Sequence, residues 1–178
     1  MRDFRSILNI IGLLLCIESF AMIIPLIVDV LNSNNDWKQF FYSSILTFVI
    51  GLVLFLSFRK ERNKINIRQA FVLTILSWLL LAFFGSIPFI YTSTLLSYPD
   101  AFFESVSGIT TTGATVINNL DELPEGILVW RSLLQWFGGI GIIVLAMAIL
   151  PTLQIGGMQL LHMEHDDPYE KTIPKVNR

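Results

Sequence analysis
The sequence predicts an all-α membrane protein: an N-terminal transmembrane helix pair followed by one helix–loop–helix repeat, about four membrane-crossing helices in all, with a short re-entrant helix in the loop. Three observations carry this. Of 178 residues, 53% are hydrophobic and only 15% charged, whereas a soluble domain carries roughly a quarter charged residues to cover its water-facing surface. The apolar residues fall in long blocks rather than amphipathic stripes. Between the last two blocks lies the stretch PDAFFESVSGITTTGAT, residues 99–115, half a membrane's depth of helix followed by a polar threonine-glycine strand.

The first block, residues 7–30, contains Asn9 and Glu18. An acid at mid-helix costs about 3 kcal/mol on insertion scales, while each Leu, Ile, Phe or Val contributes roughly −0.3 to −0.6 kcal/mol. Fifteen such residues outweigh Glu18. A cleavable leader has an apolar core of only ~7–15 residues and a small-x-small site, which this block does not match. Asn32, Ser33, Asn34, Asn35 and Asp36 form a polar turn, and the second block, residues 40–58, is just long enough to cross ~30 Å of hydrocarbon. Arg59, Lys60, Arg62, Lys64 and Arg68 follow, after which no Lys or Arg occurs until Arg131. That asymmetry predicts a cytoplasmic loop at 59–68, an outward-facing region at 92–127, and cytoplasmic N- and C-termini. The third block, residues 69–91, is interrupted near its outer end by Gly85, Ser86 and Pro88. The fourth, residues 128–150, contains Gly138, Gly139 and Gly141, where a second backbone can approach closely, and Pro151 is expected to end it. The organisation expected is therefore a transmembrane hairpin at 1–68, the repeat at 69–152 and a cytoplasmic linker at 153–178.

Within the loop, Ser97 and Asp100 have capping-box spacing and Pro99 suits a first helical turn. A helix from Pro99 to Ser107 reaches only the middle of a bilayer, and Gly108 is expected to end it by adopting positive φ. Its C-terminus would then present partial negative charge at the midplane, favouring a cation. The strand of Thr110, Thr111, Thr112, Gly113, Ala114 and Thr115 cannot face lipid with unpaired backbone groups, so at that depth it must line a water- or ion-filled space. Potassium filters use such a strand, with carbonyls replacing the ion's hydration shell. Thr112 and Gly113 stand in for the Thr-x-Gly core of that pattern, and an ordinary extracellular Thr-rich loop is the alternative. Glu104 and Arg131 are ionisable residues at membrane depth, read as a structural pair pinning the short helix. Asp121, Glu122 and Glu125 either attract cations to the outer mouth or form a solvated face.

The single cysteine, Cys16, lies in an apolar block and excludes an internal disulfide. His162 and His165 stand near acidic residues but without a further ligand set, which favours a linker over a metal site. No nucleophile–base pair or phosphate loop is visible, so an enzyme is the weakest reading; no organic cofactor and no nucleic-acid partner is expected, and membrane lipid is the surrounding medium.

SVSGITTTGAT (105–115), WRSLLQWFGGIGIIVLAMAILP (130–151) and GGMQL (156–160) closely resemble the Trk/Ktr/HKT potassium transporters, best the bacterial Trk branch, whose extra N-terminal helix pair corresponds to residues 7–58. The resemblance implies potassium uptake across the inner membrane through a pore of four helix–loop–helix repeats, each contributing one filter strand. Gly113 becomes the first repeat's filter glycine, and Thr110, Thr111 and Thr112 offer oxygens to K+. It also implies a cytoplasmic nucleotide-binding regulatory subunit. Family members are several hundred residues long, and only the first repeat is present here. The expectation is that this chain works with the remaining repeats, in one longer protein or as separate chains, with a homo-oligomer a lesser variant. A truncated remnant or a non-conducting scaffold that binds pore subunits is the alternative.

Overall fold
The computed structural model describes residues 3–58 and 67–165, and these are helical with short connections. Seven α-helices follow in order: α1 (Asp3–Ala21), α2 (Ile23–Leu31), α3 (Trp37–Ser57), α4 (Ile67–Gly85), α5 (Ile87–Tyr91), α6 (Tyr98–Ile109) and α7 (Glu125–His165), with a 3-10 turn at Leu120–Glu122. Among the described residues, four stretches are long and apolar enough to cross a membrane: Phe4–Leu31, Trp37–Ser57, Arg68–Tyr91 and Glu125–Val144. Residues 59–66 of the expected basic loop at 59–68 and the tail from Asp166 lie outside the described residues, as do the side chains of His162 and His165.

Two of the crossing segments are jointed, each for a chemical reason. Pro25 has no N–H to give the carbonyl of Ala21, and α1 ends at Ala21. The chain stays helical across the joint, with Met22 N–H donating to the Glu18 carbonyl at 3.1 Å and Leu26 N–H to that of Met22 at 3.3 Å. Gly85 ends α4, and Pro88 lies in the first turn of α5, where a missing N–H costs nothing. Pro151 behaves otherwise than expected: it lies inside α7, which continues to His165. A proline removes one backbone bond and bends a helix without having to end it.

The N-terminal pair is held by close backbone approach. A Cβ on Gly12 would come within 2.5 Å of the Phe55 nitrogen, and one on Gly51 within 2.9 Å of the Gly12 carbonyl, so α1 and α3 cross where both lack side chains. Asn9 Nδ2 donates to the Phe55 carbonyl at 2.7 Å and Ser44 Oγ to that of Ser19 at 2.8 Å. These bonds satisfy polar groups that lipid would leave unpaired.

The pair shares its core with the segments that follow. Phe40, Phe89, Ala101, Ile127, Trp130 and Leu134 are buried together. The rings of Phe40 and Trp130 meet edge to face at 6.4 Å, and the Trp130 indole N–H donates to the Gly85 carbonyl at 2.9 Å. At one end the last turn of α2 and the α2–α3 turn act as a clamp. Asp29, fully buried, accepts from the Gly126 N–H at 2.9 Å, placing a carboxylate at the first turn of α7 where the helix dipole favours it. Asn34 Nδ2 donates to Glu125 at 3.0 Å, and Asp36 accepts from the Ser93 N–H at 2.9 Å. The chain divides into two compact units, residues 1–140 and residues 141–178. The described backbone of the second is the continuation of α7 to His165.

Candidate functional site
Helix α6 starts as its sequence predicts. Ser97 is its N-cap, with Oγ accepting from the Asp100 N–H and donating to Asp100 Oδ2 at 2.5 Å. Twelve residues give about 18 Å of helix, too short to cross a membrane. One face is buried, formed by Ala101, Glu104, Ser105, Ser107, Gly108 and Ile109.

Gly108 does not end the helix, which runs through it to Ile109 with Thr110 as C-cap at φ −77°. The left-handed step falls on Thr111, at φ 57°. Gly108 is required for another reason: a Cβ there would lie 2.9 Å from the Leu134 Cβ, so its missing side chain lets α6 and α7 touch. One turn further along α7, a Cβ on Gly138 would collide with the Ile109 carbonyl, while Gly139 has nothing within 4 Å. Of the two neighbouring glycines, Gly138 is the one that seats the end of α6.

The four residues expected to face an ion are contiguous and exposed. Their amides are turned back onto α6. Thr111 N–H donates to the Gly108 carbonyl at 2.9 Å, and the Thr112 and Gly113 N–H groups share the Ser107 carbonyl at 3.0 and 3.5 Å. The carbonyls of Thr110, Thr111, Thr112 and Gly113 accept no bond among the described residues. Thr111 and Gly113, at φ 57° and 77°, are both left-handed. Carbonyls alternate in direction along an ordinary strand, and left-handed residues at alternate positions cancel that alternation. The threonine hydroxyls are less free than the sequence suggests: Thr110 Oγ1 donates to the Val106 carbonyl at 2.8 Å and lies 2.8 Å from Thr112 Oγ1.

The strand is pinned from behind by two α6 side chains. Ser107 Oγ donates to the Ala114 carbonyl at 2.6 Å. Glu104, 2% exposed, accepts through Oε1 from Thr115 Oγ1 at 2.5 Å and from the Val116 N–H at 2.6 Å. Its Oε2 meets Arg131 Nε at 3.2 Å, an ion pair by distance without hydrogen-bond alignment. The pairing expected of Glu104 and Arg131 is thus present, and it extends to the strand itself. Ser107 was not singled out by the sequence; its place three residues after Glu104, on the same helical face, is the signal that could have found it. Of the outer acids, Glu122 accepts from Asn119 at 3.4 Å within one turn, and Glu125 from Asn34 of the α2–α3 turn, so both are tied into the fold. No group of three or more His, Cys, Asp or Glu residues able to hold a metal occurs among the described residues.

A family model described as TrkH, cation transport protein, matches residues 36–174. The Trk system potassium uptake protein TrkH of Escherichia coli (strain K12) is 46% identical over 176 residues, covering 97% of this chain and 36% of that protein. The TrkI protein of Halomonas elongata is 37% identical over 176 residues, covering 99% of this chain and 36% of its own length. Among solved structures, the crystal structure of the potassium transporter TrkH from Vibrio parahaemolyticus is similar with a TM-score of 0.80 and 45% identity, over 87% of this chain and 33% of that one. The chain spans about a third of the length of the relatives it matches.

Proposed function
Because the chain belongs to the TrkH family of cation transport proteins, a family of membrane transporters rather than enzymes, we propose that it takes part in potassium uptake across a bacterial inner membrane, supplying one wall of the selectivity filter. The observation that carries this is the state of residues 110–113: exposed residues whose amides are consumed by α6, whose carbonyls have no donor among the described residues, and whose backbone is left-handed at alternate positions. That combination supports carbonyl oxygens directed to one side, which is what replacement of a potassium hydration shell requires. In this reading α6 is a re-entrant pore helix whose C-terminal partial charge, about half an elementary charge, faces the same space. K+ is the transported substrate. One strand offers only part of a shell, and other repeats, in a longer protein or in partner chains, complete it.

The distribution of Lys and Arg supports an orientation with the 59–68 loop and both termini in the cytoplasm. There residues 153–178 would meet a nucleotide-binding regulatory subunit. The hairpin at 1–68 then serves as a brace for the repeat at 69–152, in keeping with the shared core around Phe40 and Trp130.

Rubidium uptake by cells lacking their own potassium uptake systems tests the proposal. The chain is expressed with a fragment supplying the other repeats, carrying either wild-type Gly113 or Gly113→Arg. Uptake that needs both pieces and is lost with Gly113→Arg is expected. Uptake unaffected by Gly113→Arg refutes the filter assignment, and uptake by this chain alone points to a homo-oligomeric pore.

A further inference from the structure
Behind the pore-helix face, at the joint between α4 and α5, two buried polar side chains from distant parts of the chain face the same glycine. Glu18 of α1 is 2% exposed and Ser105 of α6 is fully buried. A Cβ on Gly85 would lie 2.8 Å from Glu18 Oε1 and 2.8 Å from Ser105 Oγ, with Leu134 Cδ2 at 3.0 Å. The two oxygens are therefore no farther apart than twice that distance, a gap that one hydrogen-bonded water spans. Neither carboxylate oxygen of Glu18 has a partner among the described residues, and neither has the Ser105 hydroxyl. Glu18 also has no ion-pair partner there, so it differs from Glu104, whose charge is matched by Arg131. A buried polar group is retained at such a cost only where it is hydrogen-bonded, and a lone charge in that setting is costlier still.

We propose that Glu18 is a positioning residue for the pore helix, its carboxyl acting as a hydrogen-bonding group linked to Ser105 through one buried water across the space that Gly85 leaves open. The link joins the N-terminal helix pair to α6 one residue after Glu104 and two before Ser107, the side chains that hold the strand. It rests on the reading of residues 110–113 as a filter: the strand's geometry is set by α6, and α6 is located partly by α1. The hydrogen-bonding capacity of Glu18 is what matters, so glutamine replaces it and leucine does not. The missing Cβ at Gly85 matters equally, because a methyl there would displace both oxygens.

Two readouts test this independently. Thermal unfolding of the purified chain in detergent is measured for Glu18→Leu, Ser105→Ala and the double variant. The single changes are expected to be strongly non-additive, since each breaks the same link; additive effects overturn the proposal. The ratio of rubidium to sodium uptake per inserted molecule is measured with the other repeats supplied. Glu18→Leu is expected to lower it several-fold, while Glu18→Gln retains the wild-type ratio. A ratio unchanged by Glu18→Leu, or equally lost with Glu18→Gln, overturns the positioning role. Failure of the filter reading is distinguishable, because the wild-type pair would then show no selective uptake although the unfolding cycle still reported the Glu18–Ser105 coupling.

Discussion

Replacement of Glu104 by leucine separates the two things this carboxylate does. Through Oε1 it holds Thr115 and Val116, and through Oε2 it faces Arg131, whose side chain is 14% exposed. The strand bonds are individually worth about 1.5–3 kcal/mol as hydrogen bonds to a charged group. Thr115 and Val116 are exposed, however, so water takes over much of that loss. Arg131 is in a different position. Breaking a buried pair from one side leaves an uncompensated charge and costs about 3–5 kcal/mol. The stranded arginine therefore dominates, and Glu104→Leu is expected to destabilise the protein by about 4 kcal/mol. Adding Arg131→Met to that variant removes the stranded charge and should recover most of this loss, leaving mainly the strand bonds unmade. Denaturant unfolding in micelles of the wild type, both single variants and the double variant measures the cycle. A Glu104→Leu variant within about 1 kcal/mol of the wild type, or a double variant no more stable than Glu104→Leu, refutes the reasoning.

Other substitutions test the remaining contacts. Gly138→Ala drives a methyl into the Ile109 carbonyl whereas Gly139→Ala meets nothing within 4 Å; thermal unfolding should show a large loss for the first and almost none for the second. Gly113→Ala has open space but a φ of 77°, so it should cost only about 1–2 kcal/mol of stability while sharply reducing rubidium uptake. Asp29→Ala removes the carboxylate from the start of α7 and should lower stability by about 0.5–2 kcal/mol; Asp29→Asn, which keeps an oxygen acceptor, should recover most of it.

The four crossing segments and the short capped helix were legible because membrane solvation acts on local composition. A block of about twenty apolar residues is a helix whatever it packs against, since lipid offers its backbone no other partner. The same holds for Ser97, Pro99 and Asp100, whose capping chemistry acts within one turn, and for the glycine–threonine strand, whose residue types announce unusual backbone. Composition could not say which residue takes the left-handed conformation. Gly108 was the local candidate, yet its lack of a Cβ is used against Leu134, and the turn passes to Thr111. Pro151 is a similar case, a helix-ending residue by propensity that α7 runs through.

What only the tertiary structure decided is which buried polar groups meet. Asn34 and Asp36 read as a turn cluster, but they bind residues 91 and 57 positions away in sequence. Glu104 and Arg131 could be paired by their shared membrane depth, whereas the carboxylate's grip on Thr115 and Val116 could not. Glu18 and Ser105 are 87 positions apart, yet both approach Gly85, with Leu134 of α7 beside them. The physical reason is range. Transfer from water to lipid and backbone capping are settled within a turn or a block of sequence, while the partner of a buried polar group is settled by packing between distant segments.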